Sequence, residues 1–74
     1  MSEVTRKQLN YTIACIHEFA RRKQLSQQDA FRYLWANQGI AFLMEHYEIE
    51  HTLSLTDALD DLELICKKNG GLLS

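Results

Sequence analysis

The stretch SQQDAFRYLWANQGIAFLMEHYEIEH, Ser26 to His51, decides the fold. Ser26 followed three residues later by Asp29 reads as a helix start. The serine hydroxyl accepts a free N–H of the first turn, and the carboxylate can return the hydrogen bond. Ala30, Phe31, Leu34 and Trp35 then fall on one face of a helix spanning about 27–37. Asn37-Gln38-Gly39 reads as its stop, because asparagine and glycine tolerate the left-handed backbone that closes a helix. Ile40, Leu43, Met44 and Tyr47 predict a third helix over about 40–49, facing inward. No segment alternates apolar and polar residues as a half-buried strand would.

The same punctuation continues on both sides. Upstream, Leu9, Ile13, Ile16 and Ala20 recur at spacings of three and four, predicting a helix over about 5–23 with these residues inward. Phe19 widens the stripe, Cys15 lies at its edge, and Tyr11 lies further round. Arg21-Arg22-Lys23 occupies the last turn, where positive charge suits the carbonyl end of the helix dipole. Downstream, Ser54 and Asp57 repeat the start signal. Leu55, Ala58, Leu59, Leu62, Ile65 and Cys66 line a last helix of about 55–68, which Asn69-Gly70-Gly71 stops. The expectation is an all-α fold: a small bundle of four short helices in a single domain spanning 1–74, ordered over about 5–69.

Composition narrows the function. At 74 residues without proline, the chain is near the lower limit for burying a self-sufficient core, and a homodimer or complex would supply burial that a monomer lacks. Two cysteines inside helical apolar patterns read as reduced, buried thiols of a cytoplasmic protein rather than a disulfide framework. The start of the chain shows no secretory pattern, and no apolar run approaches the ~20 residues that span a bilayer. The net charge of −2 conceals an asymmetry. Residues 1–25 carry five cations against two carboxylates, whereas 26–66 carry Arg32 against eight. An acidic second half repels phosphate, which counts against nucleic acid as a partner there. The third helix, with three carboxylates and no cation, is poorly suited to a DNA groove. The basic first helix leaves one alternative open: a homodimeric regulator touching nucleic acid through that helix.

Glu45-His-Tyr-Glu-Ile-Glu-His51 is the stretch most suggestive of chemistry. A zinc-protease pair needs histidines four apart, and these are five apart, so they diverge on a continuous helix. A metal also wants three or four convergent ligands, and no spacing supplies them from His17, Cys15 or Cys66. Glu45, His46 and Glu50 read as a solvated helix face. His51 falls where the third helix should end, and an imidazole there can bond the helix's free carbonyls; a partner-contacting pair with Tyr47 or Glu48 is the alternative. Cys15 and His17 point to different faces and make no thiolate pair. Asp57, Asp60, Asp61 and Glu63 read mainly as the outer face of the last helix. These readings give no catalytic, metal or cofactor site. What remains is a binding module, with Trp35 as either core residue or interface anchor.

From residue 25 to 68 the chain resembles a family of small bacterial helical proteins of unknown function. The resemblance is carried by Ala30-Phe31-Arg-Tyr-Leu34, Gly39-Ile40-Ala-Phe42-Leu43, Tyr47-Glu48-Ile-Glu-His51-Thr52 and Asp60-Asp61. Tyr47, Glu48, His51 and Thr52 are the signature positions. Glu50 stands where the resemblance implies an aliphatic residue. The resemblance further implies a neighbouring gene product with an ADP-ribosyltransferase-like fold, in a toxin–antitoxin arrangement. The expected function is therefore a non-enzymatic, antitoxin-like interaction module contacting a partner protein through Trp35, Tyr47, Glu48, His51 and Thr52.

Overall fold

A computed structural model describes residues 2–71. The elements are α1 (Glu3–Lys23), α2 (Gln27–Ala36), α3 (Gly39–Glu45), α4 (Tyr47–Glu50) and α5 (Leu55–Lys68). The described residues contain no strand, so the fold is all-α, a small helical bundle. No helix among them is long and apolar enough to cross a membrane.

Serines start three of the helices. Ser2, Ser26 and Ser54 accept hydrogen bonds from the backbone N–H of Thr5, Asp29 and Asp57 at 3.1, 3.0 and 3.1 Å. Each satisfies one of the donors that the first turn leaves unpaired. Ser2 sets the start of α1 at Glu3, earlier than the apolar stripe implies. At the far end of α5, Gly70 adopts φ 87° while Gly71 N–H reaches Cys66 O at 2.9 Å and Gly70 N–H reaches Lys67 O at 3.1 Å. This is a Schellman closure, and a glycine suits its left-handed residue. The end of α1 closes in the same way through Gln24, with Leu25 N–H on Ala20 O at 2.9 Å.

The core gathers Cys15, Phe19, Ala20, Ala30, Leu34, Leu43, Leu59, Leu62 and Cys66. Both cysteines are free thiols. Tyr33 of α2 stacks on Phe19 of α1, ring centroids 5.7 Å apart. The buried side of α1 is therefore not the expected stripe. Thr12, Cys15, Phe19 and Ala20 point inward, while Leu9 and Ile13 are exposed. The physical reason is Thr12: its hydroxyl donates to Gln8 O at 2.8 Å within its own helix, so it can be buried without an unpaired donor. Similarly, only Ala30 and Leu34 of the expected α2 face are buried. Phe31 and Trp35 turn outward and stack on each other at 5.9 Å.

The junction of α2 and α3 also departs from expectation. The left-handed residue is Gln38, at φ 67°, not Asn37 or Gly39. Gly39 serves a different purpose: a Cβ there would lie 3.0 Å from Leu34 Cδ2 and 3.2 Å from Cys66 Sγ. Glycine lets the first turn of α3 press onto α2 and α5. The expected third helix is broken at His46, where φ −107° and ψ 21° separate α3 from the single turn of α4.

The basic run ending α1 does more than complement its dipole. Arg22 pairs with Asp60 at 2.8 Å and Glu63 at 3.0 Å, and Lys23 also pairs with Glu63. Lys23 first, then Arg22, holds the Glu63 carboxyl below the usual carboxylate range. Asp60 and Glu63 are thus tethers between α1 and α5 rather than simply a solvated face.

Gly39→Ala should destabilise the fold by about 1–3 kcal/mol through overpacking against Leu34 and Cys66. Gln38→Gly should stabilise it by up to about 1 kcal/mol by relieving the left-handed backbone. Urea unfolding of both variants checks the opposite signs.

Candidate interaction surface

Tyr47, Glu48, His51 and Thr52 form one corner. In α4 the rings of Tyr47 and His51 stack at 4.4 Å, and Tyr11 of α1 meets Tyr47 edge-on at 5.6 Å. His51 Nδ1–H donates to Tyr47 O at 2.6 Å, and Thr52 Oγ1–H donates to Ile49 O at 2.6 Å. His51 is therefore a helix-closing residue, as its position before Ser54 implies. Thr52 closes the same turn. Tyr47 is half-buried, whereas Glu48, His51 and Thr52 are exposed.

Around this corner runs a shallow groove lined by Gln8, Glu45, His46, Tyr47, Glu48 and Ile49. Ile49 is 65% exposed. It projects beside Glu48 with no core role to account for it. Gln8 ties the groove to α1 by donating to Met44 O at 3.3 Å. The result is an apolar knob beside carboxylates on a turn held by side-chain hydrogen bonds.

Glu50 departs most from the sequence reading. It is 5% exposed and lies inside the corner, not on a solvated face with Glu45 and His46. Its Oε1 has no hydrogen-bond partner, and neither does the buried hydroxyl of Tyr11. Burial pushes the Glu50 carboxyl up from its ordinary 4.5 to about 7. The Asp61 carboxyl on α5 adds to the shift, since a like charge nearby disfavours the ionised form. Burial likewise raises the Tyr11 hydroxyl and the Cys15 thiol, which therefore has no reactive-thiolate character. Glu50 lies in the same turn as half-buried Tyr47, and its carboxylate, ordinarily placed in water, concealed its burial.

Trp35 does not share this corner. It is 65% exposed and stacks on Phe31, over a separate groove formed with Gln38, Ile40, Ala41 and Met44. The five expected contact residues thus divide between two surfaces. Ile49 and Phe31 were not among the expected contacts: the sequence assigned Ile49 no role and placed Phe31 on the inward face of α2. Among the described residues no group of three or more histidines, cysteines or carboxylates is placed to hold a metal ion.

Residues 10–69 match the family described as "Protein of unknown function (DUF3791)". The chain belongs to this family. The match reaches back from the region of resemblance to include most of α1. No curated protein and no solved structure matches the chain.

The buried carboxyl gives the fold a pH dependence of known sign. Below 4.5 Glu50 is neutral in both the folded and unfolded chain. Between 4.5 and about 7 the unfolded chain releases the proton while the folded chain keeps it. The Glu50 contribution to stability is therefore present below 4.5 and lost as pH rises through about 7. Glu50→Leu should remove this component and raise stability at pH 8 by about 1–3 kcal/mol. Urea unfolding at pH 5 and pH 8, variant against parent, checks it.

Proposed function

We propose that this chain is a non-enzymatic interaction module that docks on a basic surface of a partner protein through the α4 corner. The observation that carries the reading is Ile49: a large apolar side chain 65% exposed next to Glu48, on a turn fixed by His51 and Thr52. An apolar centre with a charged rim is the usual anatomy of a specific protein contact, and the carboxylates select a partner of opposite sign. Tyr47 and His51 stack on each other and His51 closes the turn that carries Ile49, so their role in this proposal is to position that turn.

The resemblance noted above gives the partner to try first, a neighbouring gene product with an ADP-ribosyltransferase-like fold, with this chain acting as its antitoxin-like neutraliser. The nucleic-acid alternative loses support from the charge pairing. Arg6 pairs with Glu3, Arg21 with Glu18, Arg22 with Asp60 and Glu63, and Lys23 with Glu63. Most of the basic charge on α1 is thus offset by an adjacent carboxylate, which weakens its pull on phosphates.

Titration calorimetry of the purified chain against the adjacent gene's product tests the proposal. Binding should weaken with added salt, and Ile49→Glu or Glu48→Lys should weaken it at least tenfold with helicity unchanged. Absence of binding at low salt, or binding indifferent to both substitutions, would remove the proposal. Tyr47→Ala and His51→Ala separate support from contact: lower thermal stability with unchanged affinity makes the pair purely structural.

A further inference from the structure

The second exposed surface has a different chemistry. Leu9, Ile13 and His17 follow one another at intervals of four on α1, and Gln27, Phe31 and Trp35 do so on α2. Residues at that spacing form one ridge on a helix surface. A hydrogen bond between the Gln27 amide and the His17 ring ties the two ridges together at one end, beside the turn joining α1 to α2. From that tie, one step along each ridge reaches Ile13 and Phe31, and a second reaches Leu9 and Trp35. Ile13 is 59% exposed, Phe31 44% and Leu9 38%. Beyond Trp35 the surface continues into the groove lined by Gln38, Ile40, Ala41 and Met44.

Neither ridge nor the groove contains a lysine, arginine, aspartate or glutamate. This separates the surface from the acidic α4 corner and bears on what can cover it. A face without formal charge can lie against its own copy without like-charge repulsion. The ridges, spaced at four, are of the kind that interdigitates with identical ridges at a crossing of about −50°.

We propose that this α1–α2 face is the contact between two copies of the chain, forming a homodimer. The area supports that occupant. With ~150–250 Å² for a large apolar side chain, the exposed parts of Leu9, Ile13, Phe31 and Trp35 amount to roughly 400 Å². A stable dimer takes ~800 Å² from each partner, somewhat over half of it apolar, and the groove residues and polar rim supply the remainder. With two free cysteines and no disulfide between them, the small core of this chain gains from a partner that covers apolar surface. Dimerisation covers the apolar ridges without using Glu48, Ile49, His51 or Thr52. The proposal does not depend on whether the α4 corners bind another protein.

Sedimentation equilibrium of the full chain over roughly 1–200 µM tests it. The chain should sediment at twice its own mass through most of that range. Ile13→Glu should weaken the dimer at least a hundredfold with helicity retained, and Trp35→Ala about thirtyfold, whereas Ile49→Glu should leave it unchanged. Trp35 is the only tryptophan, which provides a readout that needs no substitution. Its emission should shift to the blue as concentration carries the chain through the sedimentation midpoint. A monomer at every concentration overturns the proposal. So does a dimer in which Trp35 keeps a water-exposed spectrum, or one that Ile13→Glu leaves intact.

Discussion

The constraint that shapes the centre of the bundle is the approach of Gly39 to Leu34 and Cys66. The first turn of α3 meets α2 and α5 where a single methyl group would crowd both. That contact places Leu43 beside Leu34, Leu62 and Cys66 in the core. It also fixes the direction in which α3 leaves the bundle, and therefore where the α4 corner lies. A chain of this size has few redundant contacts, so one tight junction governs much of its geometry. The pairs linking Arg22 and Lys23 to Asp60 and Glu63 secure the other end of α1 against α5. They lie partly in solvent, so their contribution to stability is modest beside that of the core.

Helices were legible in the sequence because caps and stops are local chemistry. Ser26 with Asp29, Ser54 with Asp57 and Asn69-Gly70-Gly71 each act on their own backbone, and each appears where the residues imply it. Faces were less legible because neighbouring helices decide which flank is covered. On α1 the apolar count favours Leu9 and Ile13, yet the bundle packs on the side holding Thr12 and Phe19. A threonine whose hydroxyl is satisfied by its own helix behaves as a core residue, although a hydropathy pattern scores it as polar.

The candidate site shows the same division. His51 as a helix-closing residue followed from its position, and its stacking on Tyr47 followed from their spacing of four. The break at His46 and the burial of Glu50 did not follow, since a carboxylate is ordinarily placed in water. Glu50 nevertheless occupies a buried position that an aliphatic side chain would fill without an unpaired polar atom. Its buried, unpartnered oxygen places a free-energy cost beside the Tyr47–Thr52 turn. Trp35 kept two readings in the sequence, core or anchor, and the structure puts it at the surface with Phe31.

Partner binding as proposed requires the α4 corner to be a contact surface rather than merely a well-tied turn. Amide hydrogen exchange, followed residue by residue on the chain alone and with the adjacent gene's product, addresses this most directly. Binding through the corner should slow exchange only in residues 45–53 and the neighbouring part of α1 around Gln8, with the α1–α2 turn at 24–26 unaffected. Unchanged exchange throughout 45–53 in a formed complex would contradict it.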